Sequence, residues 1–484
     1  MNIQSLPLLR TGLAVRPSLR LALDVALAAG LFWATSAAYR TASGHHQMAD
    51  SAYALTVSEK LLTERTVNLS ECVPANPAAR RAMYCYSPGQ DLPYQLVRGT
   101  DLRNPGAIYY GYPLGSSILS MPFVRHYAHN RGMTILGPSG VPNEAIEAEL
   151  QVRIASRVSA AIVVLFYMLA RFFCPPLAAA LIAAGFGFGS PVFSTLARAL
   201  WSHTWAVFWL SVAVVFLVGA RRVRTPTWRT DLALGVGLGT TIFWAGFCRQ
   251  HAAISAAAIG VYLLFHNRRL FLFTVLAAVL WSAGLVVISR FYFGSNLPPT
   301  VYTAGTIDGK DMLNRFAWLM VSPSRGLLVF CPYLLVLGAI LAGCRKRLAD
   351  AGLLLPAALA VVTHTAVFAA YNGWHGGSSY GPRYFCDVLP WFALAAVIGV
   401  GGLLKVTETG FPWRKAAAIA ALAVCFGWGV FVHARGANSV PAWFWNHRPA
   451  AVGHEAAVKE WDHPQFLAGI TFEVEKDGSV RELK

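Results

Sequence analysis

Apolar residues in this chain do not alternate with polar ones. They run in near-continuous stretches, at about 21–38, 153–171, 175–193, 202–220, 230–247, 250–266, 270–289, 326–343, 351–370, 386–404 and 415–432. At ~1.5 Å of rise per helical residue, stretches of this length match the ~30 Å of a bilayer's hydrocarbon core. The pattern predicts an all-α polytopic membrane protein with about eleven transmembrane helices. The first stretch lacks a small-residue cleavage pattern and reads as a retained helix rather than a signal peptide.

The basic residues set an orientation. Arg10, Arg16 and Arg20 precede the first stretch. Later clusters fall at Arg171, at Arg221, Arg222, Arg224 and Arg229, at Arg268 and Arg269, at Arg345 to Arg347, and at Lys405, Arg414 and Lys415. They occupy every second loop, and the positive-inside bias makes those loops cytoplasmic. The N-terminus is then inside and the C-terminus outside. Four segments follow: 1–38, the N-terminus and first helix; 39–152, a long extracytoplasmic loop with interfacial helices; 153–432, a bundle of about ten helices; and 433–484, an outer tail to which no chemistry is assigned. Tyr112 to Val124 is apolar but short, with Pro113 and Pro122 near its ends, and is expected to lie in the outer interface.

Composition sharpens this picture. Hydrophobic residues make up 56% and charged residues 13%, where soluble domains carry about 25% charged residues. The net charge of +17 is dispersed between spans rather than along one groove, which excludes a nucleic-acid partner. The long loop holds 9 of the 23 acidic residues, and long loops of this kind usually carry function. Cys72 and Cys85 in that loop are candidates for a disulfide in an oxidising compartment. The other cysteines show no zinc-ligand spacing.

Three segments carry candidate chemistry. The first is His45-His46-Gln47-Met48-Ala49-Asp50-Ser51-Ala52-Tyr53, leading into an amphipathic run to Leu62. A carboxylate just beyond a membrane helix stands where a lipid head group arrives. Asp50 is the candidate general base for an attacking hydroxyl, and the alternative is a helix N-cap at the same residue. His46 and Tyr53 are candidate pocket residues. The second segment, Tyr371 to Phe385, packs four glycines among aromatic rings. Trp374, His375 and Tyr380 are candidates to shape a sugar or acceptor pocket, and Arg383 to hold a phosphate bidentately, against the alternative of a surface pair with Asp387. The third is Arg249-Gln250-His251 at an outer turn, where a cation is a functional candidate. Arg325 is a weaker candidate of the same kind.

These segments resemble the GT-C superfamily of membrane glycosyltransferases, in the branch of protein O-mannosyltransferases and lipid A aminoarabinose transferases. Asp50 with Tyr53 is similar to that family's acidic motif in the first outer loop. Tyr112-Pro113-Leu114-Gly115-Ser116-Ser117 to Pro122-Phe123 resembles its loop-closing stretch. Arg249 falls where members place a basic residue between paired helices, and Ser322 to Leu327 with Gly376 to Tyr384 resembles a pattern of bacterial members. Asp50 is followed by Ser51 where many relatives have a second acid, and Pro113-Leu114 stands where the family has a double proline.

The resemblance implies a polyprenyl-phosphate-linked sugar donor and a glycan, glycolipid or protein acceptor at the extracytoplasmic face of a bacterial inner membrane. It implies inversion, with Asp50 as base and Arg249, Arg383 and Arg325 at the phosphate, and no nucleotide cofactor; a divalent metal stays open, with no second acid beside Asp50 to support one. Two other classes fit the composition. A transporter or flippase would show repeats and broken midplane helices. A polysaccharide polymerase or ligase would rely on a large later outer loop, and the longest here spans about 290–325.

Overall fold

The computed structural model describes residues 17–42, 48–81, 83, 86, 90–99, 106–138, 140–223, 225–298, 307, 309–405 and 412–483. His45, His46 and Cys85 lie outside the described residues. So do Arg10, Arg16 and Arg224.

Helices dominate. In chain order they are α1 (Pro17–Thr41), α2 (Ala54–Thr63), α3 (Pro77–Arg81), α4 (Gly115–Arg131), α5 (Glu144–Arg171), α6 (Pro176–Phe188), α7 (Ser202–Arg222), α8 (Trp228–Cys248), α9 (Ala252–His266) and α10 (Arg268–Phe293). Then follow α11 (Met312–Val321), α12 (Leu327–Phe330), α13 (Tyr333–Gly343), α14 (Leu354–Ala370), α15 (Leu389–Leu404), α16 (Pro412–Asn438), α17 (Val440–Phe444), α18 (Arg448–Val452) and α19 (His454–Lys459). Two small antiparallel hairpins complete the described fold. β1 (Leu96–Arg98) pairs with β2 (Ile108–Tyr110), and β3 (Phe472–Val474) with β4 (Val480–Glu482).

Eight helical segments among the described residues are long and apolar enough to cross a membrane, and α6, α9 and α13 are shorter apolar helices. These elements occupy the places of the eleven apolar stretches. Two are cut short by proline chemistry. Pro191 follows α6, and the chain continues as a π-turn over Val192–Leu196; Pro332, which cannot donate to the turn before it, separates α12 from α13. Only 11% of the most apolar window of α10 is buried, and Leu280 and Phe291 on that helix are 64% and 77% exposed. An apolar belt of that extent requires lipid as its solvent. Backbone contact between helices rests on small residues: a Cβ at Gly239 of α8 would stand 2.4 Å from the Thr274 carbonyl oxygen of α10.

The ion pairs sort by helix end. Arg171 meets Asp24 at 2.6 Å, Arg222 meets Asp350 at 2.6 Å, and Arg269 meets Asp231 at 3.7 Å. Arg171 and Arg222 close α5 and α7, and Asp231 lies in the first turn of α8. The candidate site residues gather at the opposite ends, where Ser202 opens α7, Arg249 follows α8 and Arg383 precedes α15.

Three expected boundaries move. Asn143 caps α5 by accepting from the amides of Ala145 and Ile146, so this helix begins at Glu144 rather than near 153. Helix α4, expected in the outer interface, continues past Val124 to Arg131. Helix α16 runs on to Asn438, and the tail beyond it packs on the bundle, with Ser322 donating to the Val458 carbonyl and Arg435 to the Phe466 carbonyl.

Candidate functional site

Asp50 sits in a turn whose backbone is held from three directions. Gln95 Nε2 donates to the Ala49 carbonyl at 2.8 Å, the Tyr110 hydroxyl to the Asp50 carbonyl at 2.6 Å, and Gln151 Nε2 to the Ser51 carbonyl at 2.7 Å. Gln95 precedes β1, Tyr110 ends β2 and Gln151 lies on α5, so the hairpin and the long helix together fix one tripeptide. Both glutamines are fully buried.

The N-cap alternative for Asp50 does not hold. Helix α2 starts at Ala54 with Tyr53 as its N-cap, in the left-handed region at φ 70° and with no side-chain cap. The end of the helix is served by Glu147 of α5, which accepts from the Leu55 amide and the Thr56 hydroxyl, each at 2.9 Å. The Asp50 carboxylate is free of that duty. Its Oδ2 lies 3.1 Å from Arg383 Nη1, and its Oδ1 accepts from the Tyr94 hydroxyl at 3.2 Å. Burial, then the neighbouring Asp50 charge, pushes the Tyr112 phenol well above its ordinary value, so it stays protonated beside the carboxylate.

Arg383 follows a loop in which Gly376, Gly377 and Gly381 all have positive φ, at 78°, 58° and 59°. A side chain at these positions would be strained, which explains the glycine content of the segment. The guanidinium lies over the Trp201 ring at 4.8 Å and the Tyr384 ring at 5.4 Å. The alternative, a surface pair with Asp387, is not made. Asp387 is buried, and it accepts instead from Arg249 Nε at 2.7 Å and from His203 Nδ1 at 2.8 Å. Arg249 Nη1 also reaches the Ser202 hydroxyl at 3.1 Å.

Asp50, Arg249, His251, His375 and Arg383 all line one cavity of about 500 Å³, within the range of about 300–1,000 Å³ usual for small-molecule sites. Tyr94, Tyr112, Tyr371 and Tyr384 add hydroxyls and ring faces to its wall. His375 is pushed down to about 4 by burial, then by the His454 ring and Arg325. It therefore faces the cavity as a neutral imidazole, and its Nδ1 accepts from the Gly377 amide at 3.2 Å.

Four candidates fall outside this cavity. Arg325 is consumed beneath the glycine loop: it donates to the carbonyls of His375, Gly377 and Ser324 and to Gln465 Oε1, and it lies over the Trp445 ring. The role at the phosphate is withdrawn, since those donors are already used. Tyr380 donates to the Val432 carbonyl at 2.6 Å, and a Cβ at Gly436 would touch its ring at 2.3 Å. Trp374 Nε1 donates to Glu455 at 2.7 Å. Tyr53 is buried at the start of α2, beside a separate groove with Pro74 and Met83. These three rings build the fold rather than the cavity wall. Cys72 is a buried free thiol, and Cys85, its expected partner, lies outside the described residues, as does His46.

Sequence reasoning passed over Tyr94, Gln95, Gln151, Ser202, His203 and Gln465. Trp201-Ser202-His203 offered a signal, a polar and aromatic step opening an apolar helix. Gln465 offered none, yet its Nε2 donates to the Ser379 carbonyl at 3.0 Å and joins the tail to the glycine loop. Comparison with protein-family models and with curated proteins finds no match for this chain.

Proposed function

We propose that the protein is a membrane glycosyltransferase that moves a sugar from a polyprenyl-phosphate donor to an acceptor hydroxyl, with inversion. One observation carries this reading: the Asp50 carboxylate meets the Arg383 guanidinium on the wall of a cavity that also presents Arg249. An acid able to take a proton and two cations able to hold a departing phosphate are the groups that glycosyl transfer from a phosphate ester requires.

In this reading Asp50 accepts the proton of the acceptor hydroxyl as its oxygen bonds to the anomeric carbon. The bond from that carbon to the phosphate oxygen breaks, and its electron pair leaves with the polyprenyl phosphate. Arg249 and Arg383 stabilise the charge released. Tyr371, Tyr384, His251 and His375 bound the sugar and acceptor space. The reaction so written needs no nucleotide.

The eleven apolar helices cross the bilayer of a bacterial inner membrane with the N-terminus inside. What supports this is that Arg171 and Arg222 lie at the helix ends away from the cavity, as the positive-inside bias expects of an extracytoplasmic site. The test is mass spectrometry of membrane lipids and envelope glycans with and without the protein, and with Asp50→Asn. The expected result is a glycan mass increment that disappears in the variant while protein level holds. An unchanged increment in Asp50→Asn removes the proposed base, and substrate accumulation in sealed vesicles without a new glycosidic bond replaces the enzyme with a transporter.

A further inference from the structure

Both oxygens of the Asp50 carboxylate are engaged, one by Arg383 and one by Tyr94. Each oxygen keeps a second acceptor site, but one held by a guanidinium has to give up or share a charge-assisted hydrogen bond before it takes a proton from an incoming hydroxyl. Arg383 stands on the cavity wall beside that carboxylate. Its plane is held by the rings of Trp201 and Tyr384. With the plane held, an anion arriving in the cavity competes for the Nη1 donor that Asp50 occupies.

We infer that Arg383 is a specificity-determining residue that exchanges the Asp50 carboxylate for the phosphate of the donor, so that the base is released only when an anionic leaving group occupies the cavity. This rests on the roles proposed for Asp50 and Arg383 above. Exchange conserves charge pairing: the guanidinium loses one anion and gains another, and Asp50 turns to the acceptor hydroxyl, whose proton it then takes. A neutral lipid-linked sugar would leave the ion pair intact and the acceptor unactivated. Binding is therefore ordered, donor before acceptor.

The test uses the full chain in phosphatidylcholine nanodiscs, with farnesyl phosphate, farnesol and inorganic phosphate as probes in calorimetric titrations. If carboxylate and phosphate compete for Arg383, Asp50→Asn binds farnesyl phosphate up to about fivefold more tightly than the parent protein. Asp50→Ala, which removes the competing oxygens altogether, gives the same gain where the amide restores a contact. The gain vanishes when Arg383→Gln is added, and farnesol shows none. A matching gain for inorganic phosphate assigns the exchange to the phosphate group alone; a gain confined to farnesyl phosphate assigns it to a phosphate seated by its lipid chain. Unchanged or weaker farnesyl phosphate binding in both Asp50 variants overturns the exchange, as does a farnesol gain equal to that of farnesyl phosphate. Loss of transfer in Asp50→Asn with no gain in binding refutes the exchange alone, whereas retained transfer refutes the base itself.

Discussion

Replacing Arg249 with alanine leaves the Asp387 carboxylate without its cation in a site where that side chain is 2% exposed. Removing one partner of a buried ion pair costs about 3–5 kcal/mol. His203 still reaches Asp387 at 2.8 Å, and a hydrogen bond to a charged group retains about 1.5–3 kcal/mol, so the lower end, about 3 kcal/mol, is expected. Asp387→Asn in the Arg249→Ala background removes the orphan charge while keeping the shape of the side chain. It should recover about 2 kcal/mol, a coupling of the size found between contacting groups. Equilibrium unfolding in mixed detergent micelles, followed by tryptophan fluorescence, measures both numbers. Sugar transfer, the proposed activity, separates folding from chemistry: the double variant should be stable and still inactive, because the cation proposed to hold the phosphate is gone. An Arg249→Ala protein as stable as its parent, or a double variant no more stable than Arg249→Ala, refutes the buried-pair argument.

Three other outcomes follow from the geometry. Gln151→Leu strips the Ser51 carbonyl and the Leu200 amide of their partner, each buried loss costing about 1–3 kcal/mol; kcat should fall while farnesyl phosphate affinity stays within about threefold, and an unchanged kcat argues against the backbone clamp on Asp50. Burial disfavours the charged form of His463, but hydrogen bonds to Glu460 and Glu482 outweigh it and raise the ring above its ordinary 6.5. The stability this gives is complete below 6.5 and is lost as pH rises through the raised value, so the protection of the β3 and β4 amides, with the base-catalysed intrinsic rate divided out, should fall on the alkaline side; a fall on the acid side contradicts it. Gly239→Val forces a side chain into the Thr274 carbonyl of α10 and should reduce folded yield severalfold, as read by size-exclusion chromatography in detergent, whereas Gly246→Val, with open space around the position, should not.

The helical architecture was legible because its cause is local. A run of apolar residues as long as a bilayer is thick has few alternatives to a helix, and each expected stretch carries one. Asp50, Arg249 and Arg383 were legible for a related reason: a charge beside an apolar span is costly wherever it points, so its presence calls for a partner. Which partner it takes is a matter of tertiary structure. Sequence proximity offered Asp387 to Arg383, four residues away, yet the short turn before α15 points Asp387 inward to Arg249 and His203, and Arg383 outward to Asp50. Aromatic residues were the least legible. Trp374 and Tyr380 were candidates for a sugar and Tyr384 in the same glycine-rich segment was not, yet packing assigns the first two to Glu455 and the Val432 carbonyl and leaves the third on the cavity wall. Gln465 shows the limit most clearly. An uncharged residue in a polar tail carries no local signal, yet with Arg325 it supports from below the loop that delivers Arg383. Its effect on the site passes through backbone carbonyls, which every sequence supplies in equal number and which therefore leave no mark on composition or spacing.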